Sequence, residues 1–131
     1  MDNYKEFNTA LKFFIRECTR IYPHISELKL LMPLYKVMKT MNKKLPMKYY
    51  KELMDPHTKN LLNKDLEFFL NYNYEDPTVI RIVNALKAEL HRTSEENKDM
   101  IWRHLIVLYK YTRQCKSIST DAQKLPEPIS V

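Results

Sequence analysis

The feature that most constrains this chain is the complete absence of glycine from its 131 residues. Glycine adopts a positive φ angle without steric cost and lets the backbone approach a ligand closely. The GxxxxGK[ST] phosphate loop, the GxGxxG dinucleotide turn and the GxSxG nucleophile elbow are therefore excluded. Tight β-hairpins of types I′ and II′ also lose their usual turn residue. The sequence favours helices separated by its seven prolines.

The length of the chain predicts one domain, because a chain of this size buries about two-thirds of its unfolded surface. No apolar run approaches the roughly 20 residues of a membrane-spanning helix. The N-terminal segment lacks the charged-then-apolar pattern of a secretion signal. Asp2 follows the initiator methionine, which excludes N-myristoylation because that modification needs glycine there. We therefore expect an intracellular protein, not a secreted one, without a membrane span.

Apolar residues at alternating spacings of three and four predict a first helix over residues 2–22. Asp2 or Asn3 is expected to cap its start, and Pro23 to end it. The apolar stripe consists of Tyr4, Phe7, Leu11, Phe14, Cys18 and Ile21.

A second helix is predicted over residues 26–42, with Ser26 as its candidate N-cap. Pro33 lies inside this pattern and either kinks the helix or splits it into a short turn and a new helix. The sequence is compatible with both. Leu45-Pro46 then starts a short third helix over residues 47–54, with proline at the favoured first position. The stripe of the second helix comprises Leu28, Leu31, Leu34 or Tyr35, Met38 and Met41.

The dipeptide Asp-Pro occurs twice, at Asp55-Pro56 and Asp76-Pro77. In each, the carboxylate is expected to cap a helix whose first position is the proline. The β-branched run Val79–Val83 also suits a strand. Its proline start and its continuation through Leu86 and Leu90 favour a helix.

The last helix is predicted from Ser94 to about Lys116. Thr93 and Glu96 form the T-x-x-E pattern of a capping box before it. Without glycine, helix ends have to rely on proline or on asparagine, the next best residue for a left-handed cap. The candidates are Pro23, Asn42, Asn71 and Asn73.

Residues 117–131 contain two prolines and no helical periodicity. They predict a disordered, flexible C-terminal tail after a helical domain of residues 1–116. The expected fold class is all-α, an irregular bundle of five or six helices followed by this tail.

The residue types that carry catalysis are scattered along the chain. Cys18 and Cys115 lie on apolar stripes and read as reduced packing thiols, with a disulfide as the alternative if the first and last helices lie side by side. The acidic pairs Glu75-Asp76 and Glu95-Glu96 fall at helix starts, where negative charge is favourable. No two histidines have metal-ligand spacing: His24, His57, His91 and His104. We therefore expect no enzyme, no metal site and no cofactor.

The positive charge is one local feature. Residues 28–51 contain seven lysines and no acidic residue, whereas the rest of the chain sums to −1 (15 basic against 16 acidic residues). The predicted binding patch comprises Lys36, Lys39, Lys43, Lys44, Lys48, Lys51, Tyr49 and Tyr50. Together with Tyr35, these residues are compatible with three interpretations. They could bind a nucleic acid through its phosphates and stacked bases, or they could bind an acidic protein or membrane surface. The third interpretation is a solvated helix face that binds nothing. The absence of arginine from the segment argues against specific base reading.

Residues Leu86–Leu90, Thr93–Leu105 and Leu108 contain an S-x-E-N-K segment that leads into an Ile-Trp-x-x-Leu-x-x-Leu helix. This pattern resembles one in small uncharacterised α-helical proteins of nucleocytoplasmic large DNA viruses. The early Phe14-Ile15 helix that ends in Tyr22-Pro23 is also similar, and together these segments cover about a third of the chain. The resemblance implies a viral protein in the host cytoplasm, the host nucleus or the virion, with no catalytic residue to carry over.

Nine tyrosines and seven methionines add residues that suit adaptable interfaces. We therefore expect a non-enzymatic protein–protein interaction module, as a virion or host-interaction protein. The alternative is nonspecific nucleic-acid binding through residues 36–51. A groove that holds an amphipathic helix is a third hypothesis, and a homo-oligomer is compatible with all three.

Overall fold

The computed structural model describes residues 3–115, and every regular element within them is helical. The predicted all-α, irregular bundle is confirmed. The predicted tail, residues 117–131, lies outside the described residues. Two 3₁₀ segments, Ser26–Leu30 and Asp55–His57, precede α2 and α4. The α-helices are α1 (Tyr4–Ile21), α2 (Leu31–Met41), α3 (Leu45–Met54), α4 (Thr58–Leu62), α5 (Leu66–Leu70), α6 (Pro77–Arg92) and α7 (Glu95–Cys115).

The last helix, α7, is the centre of the bundle. It packs against α1, α3 and α4, and buries Trp102, Leu108 and Tyr109 almost completely. The helix α6 packs elsewhere, mainly against the first 3₁₀ segment and α5. The buried core residues form three clusters, two that include residues of α7 and one between α1, α5 and α6.

The first two predicted helices form with changed details. The first helix is confirmed, although Asn3 holds the N-cap position without a capping bond from its side chain. The second pattern splits at Leu31, which settles the alternatives for Pro33: the proline lies in the first turn of α2, where its missing N–H costs nothing. Ser26 is not an N-cap, because Ile25 precedes the 3₁₀ segment and the Ser26 hydroxyl bonds Glu27.

The Asp76-Pro77 start is confirmed, and Val79–Val83 is helical. Asp76 has extended backbone angles (φ −76°, ψ 120°), as an N-cap requires. Its Oδ1 accepts hydrogen bonds from the backbone N–H groups of Thr78 at 2.8 Å and Val79 at 3.3 Å.

The predicted capping box at Thr93 is wrong by one residue. The Ser94 hydroxyl accepts the hydrogen bond from the Asn97 N–H at 3.1 Å, and α7 begins at Glu95. The Thr93 hydroxyl instead pairs with the hydroxyl of the buried Tyr22 at the end of α1. The Thr93 hydroxyl therefore binds a residue distant in sequence and not the backbone N–H groups at the start of α7.

The prediction that Asp55 caps a helix is also wrong. Asp55 has helical angles (φ −51°, ψ −47°), because α3 continues directly into the 3₁₀ segment. Its carboxylate is therefore directed away from the helix start and towards α7. Oδ1 accepts a hydrogen bond from the Tyr109 hydroxyl at 2.7 Å and lies 3.5 Å from Nη1 of Arg113, while Oδ2 binds the Lys51 ammonium. We call Lys51, Asp55, Tyr109 and Arg113 the Asp55 cluster.

The charges in the Asp55 cluster favour an ionised carboxylate. Burial by itself raises the pKa of Asp55, but hydrogen bonds from Lys51 and Tyr109, and the charges of Lys51 and Arg113, lower it further than burial raises it. Burial and the neighbouring carboxylate raise the pKa of Tyr109, so its hydroxyl remains a donor. The cluster therefore ties the end of α3 to the last turns of α7.

Helix ends differ from the expectation of left-handed asparagines. Asn42 is extended (φ −164°) and Asn71 has φ −107°, so neither is left-handed. Asn71 Nδ2 donates to the Glu67 carbonyl and so satisfies a carbonyl at the end of its helix. Asn42 Oδ1 instead accepts from the Lys44 N–H, beyond the end of α2, and stabilises the turn that leads into α3.

Within residues 3–115, the one positive φ belongs to Lys64, at 55°. Its N–H bonds the Leu61 carbonyl at 3.1 Å, and the Asp65 N–H bonds the Asn60 carbonyl at 3.0 Å. These two bonds form the Schellman motif that ends a helix, and Lys64 holds the position usually taken by glycine. A lysine there carries the steric cost of its Cβ, which is about 1 kcal/mol.

We predict that Lys64→Gly raises the free energy of unfolding by about 1 kcal/mol, because glycine removes the Cβ that opposes the left-handed conformation. Urea denaturation followed by circular dichroism measures the change. Lys64→Ala is the matched control, since it removes the same charge but keeps the Cβ. An equal gain from both variants would show that charge, not backbone strain, is responsible.

We predict that Asp55→Ala lowers the free energy of unfolding by about 2 kcal/mol at neutral pH, because Lys51 and Arg113 lose a partly buried partner. Glu52→Ala, an exposed acid one turn earlier, is the matched control and changes stability little. Because the pKa of Asp55 is lowered on folding, its contribution is complete above the ordinary value of 3.8 and disappears as the pH falls through the lower folded value. A wild-type–variant difference that grows on acidification would contradict this role.

Candidate functional site

The lysine-rich segment forms a helical hairpin of α2 and α3. Asn42 shapes the turn, because its carbonyl accepts from the Leu45 N–H at 2.9 Å and its side chain accepts from the Lys44 N–H at 2.9 Å. Asn8 of α1 donates to the Lys43 carbonyl at 3.0 Å. The turn is therefore held by its own bonds and by α1.

The structure places five of the six predicted lysines at exposed positions along this hairpin. We call these residues the basic hairpin: Lys36, Lys39, Lys43, Lys44 and Lys48. The ammonium of Lys39 lies over the Tyr35 ring at 5.9 Å, and that of Lys44 lies over the Tyr4 ring at 5.7 Å. These contacts orient the two side chains while their charges stay near solvent.

Two further lysines join this region from α1. Lys5 and Lys12 lie three residues before and four residues after Asn8, so they share the side of α1 that holds the turn. Lys5 and Lys12 are far from the basic hairpin in sequence. Their helical spacing from Asn8, which binds the turn of the hairpin, is the sequence feature that could have associated them with it.

The remaining predicted site residues are placed elsewhere. Lys51 binds Asp55 inside the Asp55 cluster. Tyr50 packs on Phe7, with ring centroids 5.5 Å apart, and its hydroxyl donates to the Leu105 carbonyl at 2.5 Å; burial raises its pKa. Tyr35 is also buried, at 4% exposure, and its hydroxyl has no hydrogen-bond partner within residues 3–115.

Tyr49 is more exposed, at 36%, but faces a different cleft. This cleft also contains Glu75 and Asp76 at the start of α6. Burial raises the pKa of Tyr49, and these two acids add to the effect. Of the aromatic residues proposed as stacking faces, only this one is exposed, and it lies in acidic surroundings.

Two large apolar side chains accompany the basic hairpin. Val37 is 57% exposed and Met41 73% exposed, and the two are one helical turn apart on α2. The predicted place of Met41 in the core is wrong, because α2 ends at this residue and the chain turns away without covering the last turn. Sequence periodicity missed this apolar pair, since it assigned methionines at that spacing to the core.

Four of the five lysines of the basic hairpin have no carboxylate partner among the described residues. In the described part of the chain, Lys36, Lys39, Lys43 and Lys48 form no ion pair. Two arginines on other helices, by contrast, are paired: Arg20 with Glu17, and Arg92 with Glu89, both at 2.7 Å. The surface therefore combines uncompensated positive charge with exposed apolar area.

The candidates for catalysis have structural roles. Cys18 is a buried thiol without a disulfide, and burial raises its pKa to about 12, which opposes the reactive thiolate. His104 stacks on Phe14 at 5.1 Å, and burial lowers its pKa. Among residues 3–115, no group of three or more metal-binding side chains is close enough to hold an ion.

No protein family, curated protein or solved structure matches this chain. The resemblance to viral helical proteins therefore stays a prediction. Within the described residues, no helix is both long and apolar enough to span a bilayer.

We predict opposite stability changes for two conservative tyrosine variants. Tyr35→Phe raises the free energy of unfolding by about 1 kcal/mol, because it removes a buried hydroxyl without a partner. Tyr50→Phe lowers it by about 1 kcal/mol, because it removes the bond to Leu105. Thermal denaturation of both variants measures the contrast. Losses of equal size in the two variants would contradict the environments described for these hydroxyls.

Proposed function

We propose that this protein is a non-enzymatic protein–protein interaction module that binds an acidic partner through the basic hairpin. The observation that carries the proposal is the exposure of Val37 and Met41 on the same hairpin as exposed lysines. Of these lysines, Lys36, Lys39, Lys43 and Lys48 form no ion pair within the described part of the chain. Apolar side chains supply most of the binding energy at interfaces, and surrounding charge selects and orients the partner. The partner therefore has an apolar stripe bordered by carboxylates.

The number and placement of the lysines suit this partner. Lys36 and Lys39 share α2 with the apolar pair, whereas Lys43 and Lys48 follow in the turn and in α3. Lysine side chains carry apolar stems, which extend the contact area around the pair. Acidic side chains at the rim of a partner then gain charge pairing as the apolar centre is covered.

Nonspecific nucleic-acid binding through residues 36–51 is the alternative. Its positive charge is available, but binding of single strands also uses exposed aromatic faces for stacking. Tyr35 and Tyr50 are inside the bundle, and Tyr49 lies beside two acids. Exposed Val37 and Met41 serve no purpose against a phosphate backbone, so the observations favour a protein partner.

Self-association through the same face is disfavoured, because two basic hairpins repel each other. The expectation of a viral protein with a virion or host-interaction role belongs to this proposal and depends on the sequence resemblance alone.

Fluorescence anisotropy with a synthetic amphipathic helix, leucine on one face and glutamate on the others, tests the proposal. We predict that the double variant Val37→Ser/Met41→Ser lowers affinity at least about tenfold, because two exposed apolar side chains no longer contribute burial energy. The double variant Lys36→Glu/Lys43→Glu lowers affinity by a similar factor, and more at low salt.

Matched controls use equivalent residues on other surfaces. Ile80→Ser and Val107→Ser remove apolar side chains that are 37% and 38% exposed, and Lys59→Glu reverses an exposed charge on α4. These variants bind like the wild type. The result that would favour nucleic acid as the ligand is tighter binding of duplex or single-stranded DNA than of the synthetic helix at about 50 mM salt. In that case the lysine variants would lower the affinity for DNA, and the Val37→Ser/Met41→Ser variant would leave it unchanged.

A further inference from the structure

An apolar cavity of about 240 Å³ lies between the helices of the bundle, and none of the lysines of the basic hairpin lines it. It occupies the space between α6 and α7, because α6 makes its main contacts with the first 3₁₀ segment and α5. Ile82 and Leu86 of α6 and Ile101 and Leu105 of α7 line this space, and Cys18 of α1 and Leu70 of α5 also contribute to the wall.

Two hydroxyl groups in the wall are already satisfied within the protein. The Tyr22 hydroxyl pairs with that of Thr93, and the Tyr74 hydroxyl donates to the Phe69 carbonyl at 2.6 Å. The Cys18 thiol is neutral because burial raises its pKa to about 12. The interior of the cavity therefore offers no partner to a polar group, which selects a hydrocarbon.

Among the described residues that line the cavity, Lys98 is the one charged residue. Its side chain is 25% exposed, so the aliphatic stem belongs to the wall while the ammonium lies at the rim. Its partner Glu95 is 86% exposed and lies 3.4 Å away. Such a surface ion pair is weak, so the Lys98 ammonium can exchange it for a ligand anion.

The volume sets the length of the hydrocarbon. An engineered cavity of about 150 Å³ lined by similar side chains binds benzene, so 240 Å³ holds about ten carbon atoms by proportion. We propose that this cavity binds a medium-chain alkyl carboxylate of about eight to ten carbons, with its chain in the cavity and its carboxylate on Lys98. This site is separate from the basic hairpin and does not depend on the proposed function.

Isothermal titration of the protein with octanoate and with 1-octanol tests the proposal. We expect one octanoate per chain. Lys98→Met lowers octanoate affinity about tenfold and leaves 1-octanol affinity unchanged, because only the carboxylate uses the ammonium. Equal affinity of the two ligands, together with no effect of Lys98→Met, overturns the assignment of the carboxylate to Lys98.

Cavity-filling variants test the location. Val83→Phe places extra volume in the cavity wall and abolishes octanoate binding, whereas Ile80→Phe adds the same group at an exposed position of α6 and preserves it. Circular dichroism confirms that each variant is folded. In the wild type, nuclear Overhauser effects from octanoate methylenes to the Leu86 and Ile101 methyls give a measurement independent of any variant. Absence of binding, or binding without these effects, overturns the proposal.

Discussion

The buried side of this fold depends on the carboxylate of Asp55. It binds Lys51 within α3, and Tyr109 and Arg113 on the last turns of α7. A partly buried charge needs such partners, since its desolvation is otherwise uncompensated. By joining α3 to the central helix, the cluster fixes the inner helix of the basic hairpin. The outer helix, α2, is then held through α3, α1 and the Asn42 turn, and its exposed side stays available.

The two Asp-Pro dipeptides show what local sequence can predict. At Asp76 the chain enters the helix from an extended conformation, and the carboxylate caps it as its local sequence indicates. At Asp55 the chain is already helical, so the same dipeptide contributes a partly buried anion instead. The difference arises from the preceding helix and from Tyr109, 54 residues away. Thr93 and Ser94 show the same effect of a distant residue. The Thr93 hydroxyl pairs with that of Tyr22, which follows α1, and the Ser94 hydroxyl caps α7 instead.

The same distinction applies to the candidate sites. The lysines of the basic hairpin were predictable because they lie on two consecutive helices joined by a short turn. The exposure of Met41 was not predictable, because it depends on where α2 ends. The burial of Tyr50 and the cavity beside Lys98 were not predictable either, because both depend on residues of α7, at the far end of the chain. The absence of glycine predicted the all-α fold class. It did not predict that Lys64 adopts the left-handed backbone conformation at the end of α4.

The central claim is that an acidic, apolar partner binds the basic hairpin, and backbone amide chemical shifts test it most directly. A titration of isotopically labelled protein with the leucine–glutamate helix is predicted to shift amides of residues 36–48 and those near Asn8, while residues 95–107 stay unchanged. Shifts concentrated outside the basic hairpin, or none at saturating peptide, would contradict the account.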